Sequence, residues 1–219
     1  ASDWSSDVCS SDLIIKFANE LKEKYNDELI NQPITYFKKI GIEYELDKIK
    51  EVLKLFRVSF DVFTYETTLY EKGWVDSVIP TLKEKGFIYE QDGAIWFKTT
   101  AFDDDKDRVV KKSDGTYTYL TPDIAYHEYK LERGFDHLID ILGADHHGYI
   151  NRMKAAIEAL GYDKNQLEII ILQMVRLIKD GEELKLSKRT GKAYTLQDLC
   201  EEIGVDATRY QFVSKSPSS

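Results

Sequence analysis

The run Gly143-Ala144-Asp145-His146-His147-Gly148 sets a carboxylate and two imidazoles between glycines. Glycine lets a ligand approach the backbone closely. Asp145 can accept hydrogen bonds from ribose hydroxyls, and a helix starting just after it favours an anion. The same run also reads as a plain polar strand-to-helix turn. A metal site is not expected from Asp145, His146 and His147, because chain neighbours rarely converge on one ion and no cysteine or further histidine is spaced to help.

A second candidate is Lys185-Leu186-Ser187-Lys188-Arg189, with Gly181 before it and Gly191 after it. Lysines three apart on a glycine-flanked loop can close over phosphates as mobile point charges. They would stabilise the charge that develops on a departing pyrophosphate. Read alone, the segment is equally an ordinary solvated basic turn. The third candidate is residues 117–126, YTYLTPDIAY. Asp123 either caps the helix that begins near Pro122 or faces a pocket as the carboxylate for a cationic substrate. A guanidinium wants a planar, bidentate acceptor, and the ring of Tyr119 offers a further cationic contact.

The elements around these residues follow from periodicity. Residues 123–133 are helical, with Ile124, His127 and Leu131 on one face and Gly134 as the stop. Residues 138–142 form a compact apolar run that leads straight into Gly143. Ile150, Met153, Ala156, Ile157 and Leu160 then repeat at helical spacing, and residues 167–174 are a second apolar run. Strand, turn, helix and strand in this order predict two parallel strands joined by a right-handed crossover. Ligands of such sheets bind beyond the carboxyl ends of the strands, where Gly143 lies.

Upstream, residues 13–56 are largely helical, residues 59–62 are short and alternating, and residues 70–85 are helical with a break expected at Pro80. Asp92-Gly93 and Asp114-Gly115 each predict a tight hairpin. The fold class is therefore α/β: half of a doubly wound, Rossmann-like parallel sheet preceded by a helical and β-hairpin insertion. The expected divisions are 1–12, 13–116 and 117–219. Residues 1–12, ASDWSSDVCSSD, show no helical or strand period and resemble translated sequencing-adapter DNA, so the native chain is expected to enter near Leu13.

With 42% hydrophobic and 32% charged residues and 12% aromatics, most of the chain is expected to fold. A net charge of −9 excludes a simple basic nucleic-acid clamp but leaves room for a local basic patch. Cys9 and Cys200 give no disulfide framework, which fits a reduced, cytoplasmic setting. No apolar run approaches the roughly 18 residues of a membrane span, and no leader pattern is recognised.

Taken together and in order, YLTPDIAYH (119–127), ERGFDHLIDILGADHHGYINR (132–152) and KLSKRTGK (185–192) resemble arginyl-tRNA synthetases of the bacterial type. SFDVF (59–63), LKEKGFIYEQDGAIWFKT (82–99) and DDKDRVV (104–110) extend the resemblance from about Leu13 to the C-terminus. KLSKR is similar to the class I signature KMSKS, with Leu186 in place of methionine.

The resemblance implies activation of L-arginine with ATP and Mg²⁺, then transfer to tRNA-Arg, with tRNA needed for activation and a monomer common in the family. Tyr119 and Asp123 would hold the arginine side chain, and His146 would line the same pocket, although some members carry glutamine there. Gly143 and Asp145 would face the ATP ribose. Met174 and Val175, after Gln173, would reach adenine through backbone groups. Lys188, supported by Lys185 and Ser187, would stabilise the pyrophosphate side of the transition state.

The family's HxGH tetrapeptide does not occur in this sequence, and the anticodon-reading domain is not recognised in it. The chain is thus expected to be an internal piece with little activity alone, and to expose an apolar sheet face where further strands pack. Two other readings stay open: another class I synthetase or related adenylate-forming enzyme, and a binding module without chemistry.

Overall fold

The computed structural model describes residues 8–179, 181–183 and 194–216. The chain divides into two compact units, one made of Ala1–Asp61 and Val175–Ser216, the other centred on Val62–Met174. In the first unit, α1 (Val8–Tyr25) and α2 (Ile34–Leu55) form the helical stretch expected from residues 13–56. The helix begins at Val8, so the backbone of residues 8–12 is helical where no period was expected. Phe17 packs on Tyr44 with ring centroids 4.5 Å apart.

The second unit opens with α3 (Glu66–Glu71) and α4 (Trp74–Glu84). The break between them falls at Gly73, whose φ of +75° suits glycine, and not at Pro80. Pro80 lies inside α4. It removes one helical hydrogen bond, but Val75, Val78 and Leu82 are fully buried on one face of the helix. Burial of that face holds the helix through the proline. Residues 59–62 form no strand.

The first Asp-Gly hairpin is present as expected. Strands β1 (Ile88–Gln91) and β2 (Ala94–Phe97) pair antiparallel, and Asp92 and Gly93 both take positive φ, 52° and 75°. The second is cut short. β3 (Arg108–Lys111) pairs with β2, and only an isolated bridge joins Lys111 to Tyr117. Within the turn, Asp114 Oδ1 accepts from the backbone N–H and hydroxyl of Thr116. The chain then enters α5 (Leu120–Glu132) at once, which leaves no room for a second strand. At the start of β3, Arg108 grips Asp104 with two 2.8 Å hydrogen bonds. Burial alone would raise the Asp104 carboxyl, but this guanidinium fork outweighs it and holds the group at about 2.

β4 (Leu138–Gly143), α6 (Tyr149–Leu160) and β5 (Leu167–Leu172) follow, and β4 and β5 pair parallel from Leu138↔Leu167 to Gly143↔Leu172. The unit is α/β, with the expected strand–helix–strand arrangement. Its core joins Val78, Leu82, Phe97, Ile124, Met153 and Ile157, all fully buried. On the opposite face of the pair, Ile139 and Ile141 are 53% and 63% exposed, so an apolar sheet face is open as expected.

Returning to the first unit, β6 (Ile178–Lys179) and β7 (Glu182–Glu183) form a short antiparallel pair. Helices α7 (Leu196–Ile203) and α8 (Val205–Val213) complete it. A reciprocal Thr195–Asp198 box caps α7. Arg209 donates to the carbonyl of Phe56 at the end of α2, and Arg57 pairs with Asp206 at 2.7 Å.

Candidate active site

Strand alternation aims Leu138, Asp140 and Leu142 to one face of β4. Asp140 is therefore a carboxylate turned inward among apolar neighbours, and such a group must find partners. It has them on α5. His127 Nε2 lies 2.6 Å from Asp140 Oδ2, and Lys130 Nζ donates to Oδ1 at 2.8 Å. Burial pushes Asp140 up, yet the hydrogen bonds and charges of His127 and Lys130 prevail and hold it at about 2. The other ring nitrogen of His127, Nδ1, sits 2.7 Å from the backbone carbonyl of Asp123. One buried imidazole thus ties β4 to the first turn of α5.

Asp123 lies in that turn. It does not cap the helix, because α5 begins at Leu120 and its cap position makes no side-chain hydrogen bond. Its Oδ2 instead accepts from the phenol of Tyr149, the first residue of α6. Burial raises the Asp123 carboxyl above the ordinary range, against the pull of Tyr149, His127 and Lys130. The same burial, with Asp123 beside it, drives the Tyr149 phenol strongly upward, so it stays a donor. Tyr119 is one turn before Asp123, linked by the Asp123 N–H to the Tyr119 carbonyl at 3.4 Å, and its ring is 88% exposed.

Gly143 ends β4 beside Leu172 of β5, and residues 144–146 form one 3₁₀ turn that leads into α6. An added Cβ on Gly143 would stand 2.8 Å from Asp145 Oδ1. His146 is half-exposed, 3.6 Å from Asp145, and meets the Tyr149 ring edge-on at 6.4 Å. The guanidinium of Arg152 lies over the same ring at 5.4 Å. Asp123, Tyr149 and His146 therefore form one continuous set at the carboxyl edge, with Gly143 and Asp145 adjoining it. Met174 follows β5 and is exposed, as is Val175. Lys185, Ser187 and Lys188 lie outside the described residues. Among the described residues, no three His, Cys, Asp or Glu side chains are grouped to hold a metal ion.

This edge carries a half-buried carboxylate, Asp123, whose partner Tyr149 opens the helix that follows the Gly143 turn, an arrangement that can receive a cationic group. The family model described as tRNA synthetases class I (R), catalytic domain, matches residues 15–216. The chain belongs to this family. Arginine--tRNA ligase of Bacillus subtilis is 56% identical over 207 residues, covering 93% of this chain and 37% of that protein. The Geobacillus thermodenitrificans ligase is 57% identical over 209 residues, covering 94% and 38%. The chain thus spans well under half the length of these curated relatives.

Among solved structures, a putative arginyl-tRNA synthetase from Campylobacter jejuni superimposes with a TM-score of 0.86 at 42% identity, covering 94% of this chain and 45% of that one. Thermus thermophilus arginyl-tRNA synthetase shares the fold, with a TM-score of 0.63 at 13% identity over 95% of this chain and 45% of that one. Within the family's catalytic domain, the residues that the motifs alone did not single out are Tyr149, Asp140 and Lys130. One signal for Asp140 was available: it is the lone charge in an apolar strand, at an inward-facing position of the alternation.

Proposed function

We propose that this chain supplies the arginine-recognising part of the catalytic site of an arginine–tRNA ligase. The observation that carries the reading is the half-buried Asp123 carboxylate, held by the phenol of Tyr149 at the start of α6. A guanidinium offers a planar fork of donors to such an acceptor, and desolvation strengthens the pairing while disfavouring uncharged competitors. Tyr119 would lie along the aliphatic and cationic parts of the substrate, and His146 would close the pocket from the side of α6.

In the reaction, the carboxylate of arginine attacks the α-phosphorus of ATP, the bond to the β-phosphate oxygen breaks, and pyrophosphate leaves with arginyl-adenylate remaining. A ribose hydroxyl at the end of tRNA-Arg then displaces AMP. Gly143 and Asp145 would receive the ATP ribose, and backbone groups of Met174 and Val175 the adenine. Lys188, with Lys185 and Ser187, would stabilise the departing pyrophosphate. Mg²⁺ would arrive with the nucleotide phosphates, as this ion commonly does, in a cytoplasmic setting.

The test is a hybrid in which residues 15–216 replace the matching segment of the Bacillus subtilis ligase. With tRNA-Arg present, the hybrid is expected to catalyse ATP–pyrophosphate exchange with arginine and not with lysine or citrulline. A hybrid that melts cooperatively yet shows no arginine-dependent exchange contradicts the proposal.

A further inference from the structure

Asp123 is restrained at two points. His127 Nδ1 holds its backbone carbonyl, and the phenol of Tyr149 holds Oδ2 of its side chain. Among the described residues Tyr149 is the side chain seen donating to this carboxylate. Among the described residues, Oδ1 and one lone pair of Oδ2 accept from no other side chain and so have capacity for a further pair of donors. Tyr149 is itself fixed, because it starts α6, packs edge-on to His146 and lies beneath the Arg152 guanidinium. Its position comes from α6 and its hydroxyl reaches α5, so the substrate-facing geometry of Asp123 is set from the neighbouring helix.

Resting on the reading of Asp123 as the guanidinium acceptor, we propose that Tyr149 is the positioning residue that aims this carboxylate and supplies the hydrogen bond its charged form requires. The site then takes a cationic side chain in preference to its neutral isostere. The physical reason is a competition. Burial favours the protonated, neutral acid, and Asp140 adds like charge. The Tyr149 donor, His127 and Lys130 oppose these effects, but His127 and Lys130 are already shared with Asp140. Arg152 faces the ring of Tyr149 and not the carboxylate. Loss of the phenol hydroxyl therefore removes the donor that, among the described residues, is dedicated to the Asp123 side chain, and shifts the balance towards the neutral acid, which cannot pair with a guanidinium as an anion.

Tyr149→Phe keeps the ring and its contacts with His146 and Arg152 while deleting the hydroxyl. In the full 219-residue chain, the Asp123 carboxyl is titrated by ¹³C NMR, and binding of L-arginine and of L-citrulline is measured calorimetrically across the same pH series. The expected result is that Y149F moves the Asp123 titration to higher pH. Arginine affinity on the acid limb drops about tenfold, the scale of one hydrogen bond to a charged group, recovers as pH rises, and leaves citrulline affinity unchanged. Unaltered Asp123 titration and arginine binding in Y149F overturn the proposal alone. A wild-type chain that binds arginine no better than citrulline defeats the Asp123 reading, and the proposal falls with it.

Discussion

The phenol of Tyr149 donates to Oδ2 of Asp123, joining the first residue of α6 to the first turn of α5 across 26 residues of sequence. The contact fixes a half-buried carboxylate against the helix that follows the Gly143 turn. Its consequence is that the helix after the glycine turn and the helix before β4 act on the same group.

A buried acid that is easier to protonate than in the unfolded chain destabilises the fold when it ionises. The Asp123 carboxyl is raised, so the folded state binds the extra proton between the unfolded and folded values, and stability falls as pH rises through that window. Asp123→Asn removes this burden while keeping an acceptor for Tyr149. The ligand-free variant is expected to melt at a higher temperature than the wild type at neutral pH, with the difference vanishing in acid. Thermal melts of both proteins across pH check this.

His127 is the hub between Asp140 and the Asp123 carbonyl; it is buried and Asp140 is partly so. His127→Ala leaves Asp140 with Lys130 alone and orphans a carbonyl interaction. The expected cost is about 2 kcal/mol, the scale for removing one partner of hydrogen-bonded buried polar groups. Urea denaturation with an unchanged m-value would report it.

Asp104 and Asp140 are both held at about 2, below their ordinary value. Depressed acids contribute stability that is complete above the unfolded carboxylate range, about 4, and is lost as pH falls through the folded value. Each contribution is on the order of 2 kcal/mol. Acid unfolding monitored by circular dichroism is therefore expected to steepen between about pH 4 and pH 2. In Asp104→Asn that part of the loss should be smaller.

Gly143 has φ −71° and ψ 162°, values open to any residue, so its need for glycine comes from space and not from backbone strain. A Cβ there displaces the exposed Asp145 carboxylate from 2.8 Å. Gly143→Ala is expected to change stability by less than about 1 kcal/mol while weakening ATP binding to the hybrid ligase. A normal KM for ATP in this variant would separate Asp145 from the ribose.

Most of the supersecondary structure around the site was legible because its signals are local. The apolar runs at 138–142 and 167–174, the helical repeat from Ile150 and the glycine turn between them specify β4, α6 and β5, although β5 ends at Leu172, two residues short of the run. Asp92-Gly93 produced its hairpin because both residues adopt the positive φ the turn needs. Asp114-Gly115 also reversed the chain, with Gly115 at φ 82°, but its hairpin stops at one bridge because α5 begins at Leu120. Pro80 was misjudged as a break because its local penalty is smaller than the burial of Val75, Val78 and Leu82. The helical backbone of residues 8–12 was likewise not readable from periodicity.

Within the site, Asp123 and His146 were singled out by their motifs, but the residues that restrain Asp123 were not. Tyr149, His127 and Asp140 come together only when α5, β4 and α6 pack, and tertiary pairing of polar side chains leaves little periodic trace in a sequence. The capping reading of Asp123 failed for a related reason: the helix starts three residues earlier than Pro122 alone suggested.

The most direct test of the account is Asp123→Asn in the hybrid ligase, followed by arginine-dependent ATP–pyrophosphate exchange in the presence of tRNA-Arg. Loss of one member of a desolvated charge pair is expected to raise the KM for arginine roughly a hundredfold, with the KM for ATP unchanged and discrimination against citrulline reduced. A variant whose arginine KM stays within about twofold of the parent hybrid would contradict the assignment of Asp123 as the guanidinium acceptor.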